Sequence, residues 1–591
     1  MRKPKLKISK KSFINFLGKL GNFTLKHPVE LFVGIGSLLF ASWLMLNSLS
    51  YSNGQILLHE NIWSDFMSHI PLTRSFSLGD NVPPEAPLFA GERIKYHFLF
   101  YFIAGMLEKI GFSIDWAINI PSIIGLVGLM FCIYLITYKI SKIKIAGLFA
   151  VLLFLFNSSF SWLYYFTDPA SKFNQVTDIF TNTEFASFGP YDDKLVSAFW
   201  SWNVYINQRH LPFSFAVMFA AVWLIVYSKK NYLKALGVGV IAIMPILNKA
   251  MILILFILLG LHILGMKGQR LKIFALTVAG GVLAFPGLSY LSDAKSVGES
   301  GFRYFPGFIF NATTWKELKV SNLSLRWLLY WILNLGFLPV TAALGLLNTE
   351  KFKRLKFGRK ILPLLDKFFA DWLSPKKVWL FSAIIVFIIA NNYVFATDVA
   401  TNHKLINYVI IIFSIYSGVF LGKLVITKKS ILAVVVLISL TLGGLLDMFP
   451  VINGGKVGWP DINQNKTSKW IVENTQPHDA FLNLTYEVSP ISVTGRKIYF
   501  GWDYLNWSVG YDTMSRKIIL QKIMVGELSK QEVCKFMDKN KLRYLFLNQN
   551  EKNFVERTPN FKYFMENFIA PDNAPDDLPT ILYDRDKSCV L

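Results

Sequence analysis

Eleven apolar runs constrain this chain before anything else does: residues 29–50, 116–138, 145–165, 211–228, 235–247, 250–265, 273–291, 324–347, 378–396, 405–422 and 431–449. Roughly 20 apolar residues in a helix, each adding ~1.5 Å, cross a bilayer core of about 30 Å. Lipid offers the backbone no hydrogen-bond partner, so such runs must satisfy their own amides and carbonyls as helices. The expected fold is a polytopic α-helical membrane protein with about eleven spans. Composition agrees: hydrophobic residues make up 53% and charged residues only 17%, against roughly 25% charged in soluble domains. The fifth and sixth runs are short and separated only by Asn248 and Lys249, as in a helical hairpin. The first runs on past Trp43 with no small-residue cleavage site, which reads as a retained helix and not a signal peptide.

A net charge of +23 raises the question of a nucleic-acid partner, and the placement of the charge answers it. With a cytoplasmic N-terminus, the inner segments are 1–28, 139–144, 229–234, 266–272, 348–377 and 423–430. They carry 29 Lys and Arg against three acids, Glu350, Asp366 and Asp371. That is the positive-inside bias of an inserted chain; the partner it implies is a lipid bilayer, and no nucleic acid. Residues 96–111 are apolar but short and include Glu108 and Lys109. Counting them as a span would put Lys139, Lys142 and Lys144 outside, so they are expected to lie along the outer interface. The chain then divides into a basic cytoplasmic N-terminus (1–28), a transmembrane region (29–449) with outer loops 51–115, 166–210 and 292–323, and an extracytoplasmic domain (450–591). Six of the eight histidines fall outside, so chemistry that needs titratable groups is expected there.

After Gly454-Gly455 and Trp459-Pro460 the pattern shortens to mixed helix and strand. Ser529-Lys-Gln-Glu532 is a capping box that opens a helix to about Lys539, and 480–484, 497–500, 543–547 and 580–583 read as strands. The expectation is an α/β domain without a glycine-rich phosphate loop or zinc spacing. Of the three cysteines, only Cys534 and Cys589 could pair.

Polar residues gather in three places. In the first outer loop, Asp65 and His69 stand four apart and share a helix face. A carboxylate beside an imidazole can take a proton from a hydroxyl or hold a cation; a helix cap with a solvated histidine is the plainer reading. Arg74, Arg93 and His97 follow in the same loop. At the mouth of the fourth run, Gln208, Arg209 and His210 present consecutive donors at headgroup depth, as a phosphate site or a snorkelling anchor would. Between the ninth and tenth runs, Asp398, Asn402, His403 and Lys404 occupy a tight outer turn, and Lys404 is a cation on the acid-leaning side. Asp192 and Asp193 are a weak metal pair or a solvated turn. The runs themselves are almost free of ionisable groups apart from Asp447 and His262, where a coupled transporter would hold charge at mid-membrane.

On these residues the chain resembles the C superfamily of membrane glycosyltransferases (GT-C), in the group of protein mannosyltransferase-like and aminoarabinose-transferase-like enzymes. The likeness covers almost the whole length. One span leads to a long outer loop with Trp63-Ser-Asp65 early in it, a proline-rich stretch, the 96–111 segment, and Ile118-Asn-Ile-Pro-Ser122 at the second span. The tail contributes Trp470-Ile-Val-Glu-Asn-Thr-Gln-Pro477 and Gly495-Arg-Lys-Ile-Tyr-Phe-Gly-Trp502-Asp503. The resemblance implies transfer of a sugar, with inversion, from a polyprenyl-phosphate donor to a glycan, lipid or protein acceptor outside a plasma membrane. It carries the catalytic aspartate over to Asp65, as base. Position and charge nominate Arg209, His210 and Lys404 for the leaving phosphate, with Arg93 and His97 behind them; His69, Arg74, Gln208 and Asn402 complete the expected substrate-binding set. The family's paired acids are missing, since Ser64 and Phe66 flank Asp65. A divalent cation (Mg or Mn), with Asp65, Asp192 and Asp193 as its weak candidates, therefore stays open. The competing classes are a lipid or glycan flippase and a non-catalytic membrane scaffold.

Overall fold

The structure, a computed structural model, describes residues 28–167, 177–185, 202–292, 302–306, 322–347, 373–483, 490–548, 559–572, 574 and 580–589. Helices dominate it. Six are long and apolar enough to cross a membrane: Pro28–Ser48, Ile114–Ser141, His210–Tyr227, Arg270–Leu291, Val399–Ile426 and Ser430–Asn453. A seventh counts if Ser324–Leu335 and Leu338–Leu347, bent by 79° at their junction, act as one. These helices mark a multi-pass membrane protein.

The helices used below are α1 (Pro28–Ser48), α2 (Trp63–Ser77), α3 (Leu99–Lys109), α4 (Ile114–Ser141), α5 (Lys144–Leu155), α6 (Trp202–Asn207), α7 (His210–Val222), α8 (Asn231–Leu247), α9 (Lys249–Gly265), α10 (Arg270–Leu291), α11 (Leu323–Leu335), α12 (Leu338–Leu347), α13 (Val378–Asn392), α14 (His403–Ile426) and α15 (Ser430–Leu446). All eleven apolar runs are helical, but α5, α8, α9 and α13, of 12, 17, 17 and 15 residues, are too short to cross unaided. Each shortfall has a local cause. The run at 145–165 breaks after α5 because polar side chains there bond elsewhere instead of continuing the helix: the Asn157 amide donates to Asp447 (3.1 Å) and Ser158 Oγ to the Leu335 carbonyl (2.5 Å). Asn248 ends α8 with extended backbone and caps α9, its side chain accepting from the Ala250 amide. Beyond Asn392, α13 gives way to a short strand. The 96–111 segment contains the 11-residue α3, packed on α2 and α4.

Helix α14 is buried along most of its length, with α5, α12 and α13 around it. Small residues permit that. A Cβ on Gly345 of α12 would stand 1.9 Å from the Tyr416 carbonyl oxygen, and one on Gly418 or Gly422 would come within 2.6 Å of Ala146 of α5. Without a hydrophobic driving force between helices in lipid, such close approach supplies the packing.

The first loop and the tail are built together. Strands β1 (Leu49–Ser52) and β2 (Gln55–His59) form an antiparallel hairpin, β3 (Arg303–Tyr304) pairs with β4 (Tyr393–Val394), and β5 (Lys456–Pro460) adds to the free edge of β2. Beyond β5, strands β6 (Ala480–Asn483), β7 (Lys497–Ile498), β8 (Tyr544–Asn548) and β9 (Thr580–Asp584) make a sheet in the order β7-β6-β8-β9, parallel except for β8–β9. Helices α16 (Lys466–Asn474), α17 (Asp503–Ser508), α18 (Thr513–Met524) and α19 (Lys530–Lys539) flank it. Helix α19 opens on the expected Ser529/Glu532 capping box, and Cys534 and Cys589 form a disulfide. The tail has apolar clusters of its own, separate from that of the membrane helices.

Candidate functional site

Two adjoining cavities, of about 540 and 780 Å³, open where the helices meet the C-terminal domain. Tyr96, Thr401, Lys404 and Tyr511 belong to the walls of both.

The first cavity holds Asp65. Helix α2 begins two residues before it, so the carboxylate sits in the first helical turn. Gln208, between α6 and α7, donates to Asp65 Oδ2 at 3.1 Å. The same Gln208 side chain accepts from the Tyr96 hydroxyl at 3.5 Å. Burial pushes the Asp65 carboxyl up from its ordinary value, while the Gln208 hydrogen bond and the charge of Lys404 pull against it. His69, one turn on, is buried in the same wall, its ring 4.8 Å from that of Tyr101. Burial, with the charges of Arg209 and Lys404, pushes its imidazole down to about 3. A neutral His69 brings no positive charge to the wall and can either donate or accept a hydrogen bond there. Asn207 lines the cavity at 1% exposure, and its side-chain oxygen has no hydrogen-bond partner among the described residues. Asp398 lies opposite, its carboxylate bonded to the Ala400 amide (2.9 Å) and the Tyr504 hydroxyl (2.8 Å). Trp502, Tyr504 and Asn506, on and just before α17, close the cavity from the C-terminal domain.

Lys404 stands between the cavities. It is 8% exposed, its ammonium lies 5.4 Å from the Tyr96 ring centre, and among the described residues no carboxylate comes within the 4.0 Å of an ion pair. A buried charge without a counter-charge is costly. The second cavity continues with Lys95, Lys249 and Arg303, and no Asp or Glu is among its described lining residues. His97 Nε2 and the Asn402 side-chain oxygen, both on its wall and buried, have no hydrogen-bond partner among the described residues. Buried polar groups are ordinarily bonded, so orphans at a cavity wall mark where a polar ligand would sit.

Four of the expected site residues sit elsewhere. Arg209 is 1% exposed and lines neither cavity: its guanidinium is spent on Asn119, on Ser48 Oγ (2.7 Å) and on the Met45 and Ile206 carbonyls. It ties α1 and α4 to the start of α7, so the expectation that it shares a cavity with Asp65 and Lys404 is corrected. His210 is enclosed by Tyr101 (2.9 Å) and Tyr96 (3.3 Å) and supports the wall from behind. Arg93 points away, its guanidinium 5.8 Å from the Tyr290 ring centre. Arg74 is buried in ion pairs with Glu108 (3.1 Å) and Asp461 and donates to the Val493 carbonyl (2.7 Å). It fastens the first loop to the tail, where Gly495, at φ +77°, lets the backbone turn against the Arg74 carbonyl.

Asp192 and Asp193 lie outside the described residues. Among the described residues no three His, Cys, Asp or Glu side chains gather as metal ligands, and Asp65 is bonded by an amide and faces an ammonium. Among the described residues, this donor set does not fit a resident divalent cation. Asn207, Lys95, Lys249, Arg303 and Tyr504 were not among the expected site residues, and Asp398, placed in the outer turn, and Trp502, quoted in the tail motif, were given no role in the site. Lys249 alone carried a signal, as a cation between two apolar runs.

No protein-family model matches the chain, and no curated protein matches it.

Proposed function

We propose that the chain is a membrane glycosyltransferase that moves a sugar from a polyprenyl-phosphate donor to an acceptor hydroxyl, with Asp65 as the base. One observation carries the reading: a half-buried carboxylate and an unpaired buried ammonium face the same cavity, and beyond the ammonium lies a second cavity rich in cations. The acceptor hydroxyl would sit at Asp65 and the donor phosphate beyond Lys404, among Lys95, Lys249 and Arg303. Attack by the acceptor oxygen on the anomeric carbon breaks the bond from that carbon to the phosphate oxygen and inverts the centre. The bonding pair leaves on the phosphate, whose developing charge Lys404 is placed to stabilise; the acceptor proton goes to Asp65. No step requires a metal.

In this reading all eleven helical runs cross the bilayer, the four short ones with local thinning of the lipid. The N-terminus is cytoplasmic, and the cavities and C-terminal domain face outward from the plasma membrane. The test is reconstitution of the purified chain in liposomes with polyprenyl-phosphate-linked hexoses and pentoses. Release of free polyprenyl phosphate from at least one donor, dependent on added acceptor, is the expected outcome. Intact donor in every case, with protein that is folded and correctly inserted, rejects the reading.

A further inference from the structure

The reading above leaves the acceptor's chemistry open, and the first cavity narrows it. On the side of the membrane helices it offers three acceptors, the Asp65 carboxylate, the Asn207 side-chain oxygen, which has no partner among the described residues, and the Asp398 carboxylate, beside the Lys404 ammonium and the Gln208 amide as donors. Two carboxylates beside one ammonium leave no net positive charge for an anionic ligand, and acceptors with lone pairs to spare call for a ligand that brings hydroxyl donors. Over the opposite side lies α17 of the C-terminal domain. Trp502 and Tyr504 are on the cavity wall with ring centres 6.0 Å apart, and Tyr504 remains 49% exposed. Its hydroxyl is held by Asp398, which fixes the ring while leaving it open to a ligand. Exposed aromatic faces carry negative quadrupole density, and the polarised C–H groups on one face of a pyranose complement them. Such a ring presents hydroxyls at its rim and C–H groups on its faces, which is the pattern this cavity requires: acceptors at the floor, aromatic rings overhead. A lipid acyl chain would leave the Asn207 oxygen unmet and offer Asp65 no donor beyond Gln208.

Resting on the proposed function, we infer that the acceptor is a neutral carbohydrate, bound with a ring stacked on Trp502 and Tyr504 and its hydroxyls on Asn207 and Asp65. The C-terminal domain is then the acceptor-recognition module of the site, and its aromatic residues set specificity.

Binding is read without donor, on the full chain in nanodiscs, by saturation-transfer NMR and tryptophan fluorescence. The probes are free trisaccharides of glucose, galactose, mannose and N-acetylglucosamine, and a neutral Ser/Thr-containing heptapeptide. At least one trisaccharide is expected to bind, with saturation on its ring C–H protons. Tyr504→Ala and Asn207→Ala should each weaken it about tenfold in protein that still unfolds cooperatively, at a temperature lowered by the lost bonds to Asp398 and Asn203. If Tyr504→Ala fails to fold, Tyr504→Leu, which keeps apolar bulk without a π face, replaces it. Wild-type affinity in the folded Tyr504 variant, absence of binding by every trisaccharide, or binding of the peptide in their place overturns the inference. Saccharide binding that persists while no donor is ever consumed would sink the transferase reading and leave this subsite standing.

Discussion

At Asp65 the local environment decides what the residue can do. A base must be ionised, and burial raises the pH at which this carboxyl loses its proton. Activity should therefore be present above that raised value and lost as pH falls through it. The acid limb of the kcat/KM profile is expected above the ordinary carboxylate range. Gln208→Leu removes a hydrogen bond that favours the ionised form, so it should move the limb further up; a downward shift, or none, would contradict the role given to Gln208. Arg74 has a different task. Replacing it by Met leaves Glu108 and Asp461 buried without their counter-charge, a loss of about 3–5 kcal/mol, to be measured as a fall in unfolding temperature. Burial opposes ionisation of Asp461, but the hydrogen bond and charge of Arg74 overcome that and hold its carboxyl below the ordinary range. The stability it lends is thus present above the ordinary carboxylate value and lost as pH drops through the lowered one. Asp65 and His69 came into consideration because they stand four apart in the first outer loop, Gln208 and Lys404 because each stands just before an apolar run. It could not separate Arg209 from Lys404. Both are lone cations at a helix mouth, and only the packing shows one to be bonded throughout and the other unpaired.

Among the elements, helices were legible and their ends were not. The long runs at 116–138 and 405–422 announce α4 and α14 because an apolar run of that length admits no other structure in lipid. The break at residues 156–160 was hidden, since Asn157 and Ser158 act through partners far along the chain, at Asp447 and Leu335. Nor could the β1–β2 hairpin have been paired in advance with β5, some 400 residues later. Close helix contacts depend on glycines that a hydropathy pattern treats as neutral. Gly345→Val should force α12 away from α14 and lower stability by about 1–3 kcal/mol, seen as earlier thermal unfolding in detergent. An unchanged transition would mean that the two helices do not pack as closely as the 1.9 Å approach at Tyr416 requires.

Across the whole molecule, the first loop and the C-terminal domain act as one structure, joined by the β2–β5 ladder and the Arg74 ion pairs, while the bond from Tyr504 to Asp398 ties that domain to the turn before α14. The cavities exist only where those parts meet the helices. The proposed orientation can be checked by single-cysteine labelling in intact cells: positions 428 and 510 should lie on opposite sides, with 510 reachable by impermeant reagents. The claim on which the rest depends is that the Asp65 carboxylate takes the acceptor's proton. Its most direct test is sugar transfer in proteoliposomes by Asp65→Asn, which preserves shape and removes charge. Turnover should fall by at least about 10²-fold, with donor binding and folding retained; turnover at the wild-type rate would contradict the mechanism.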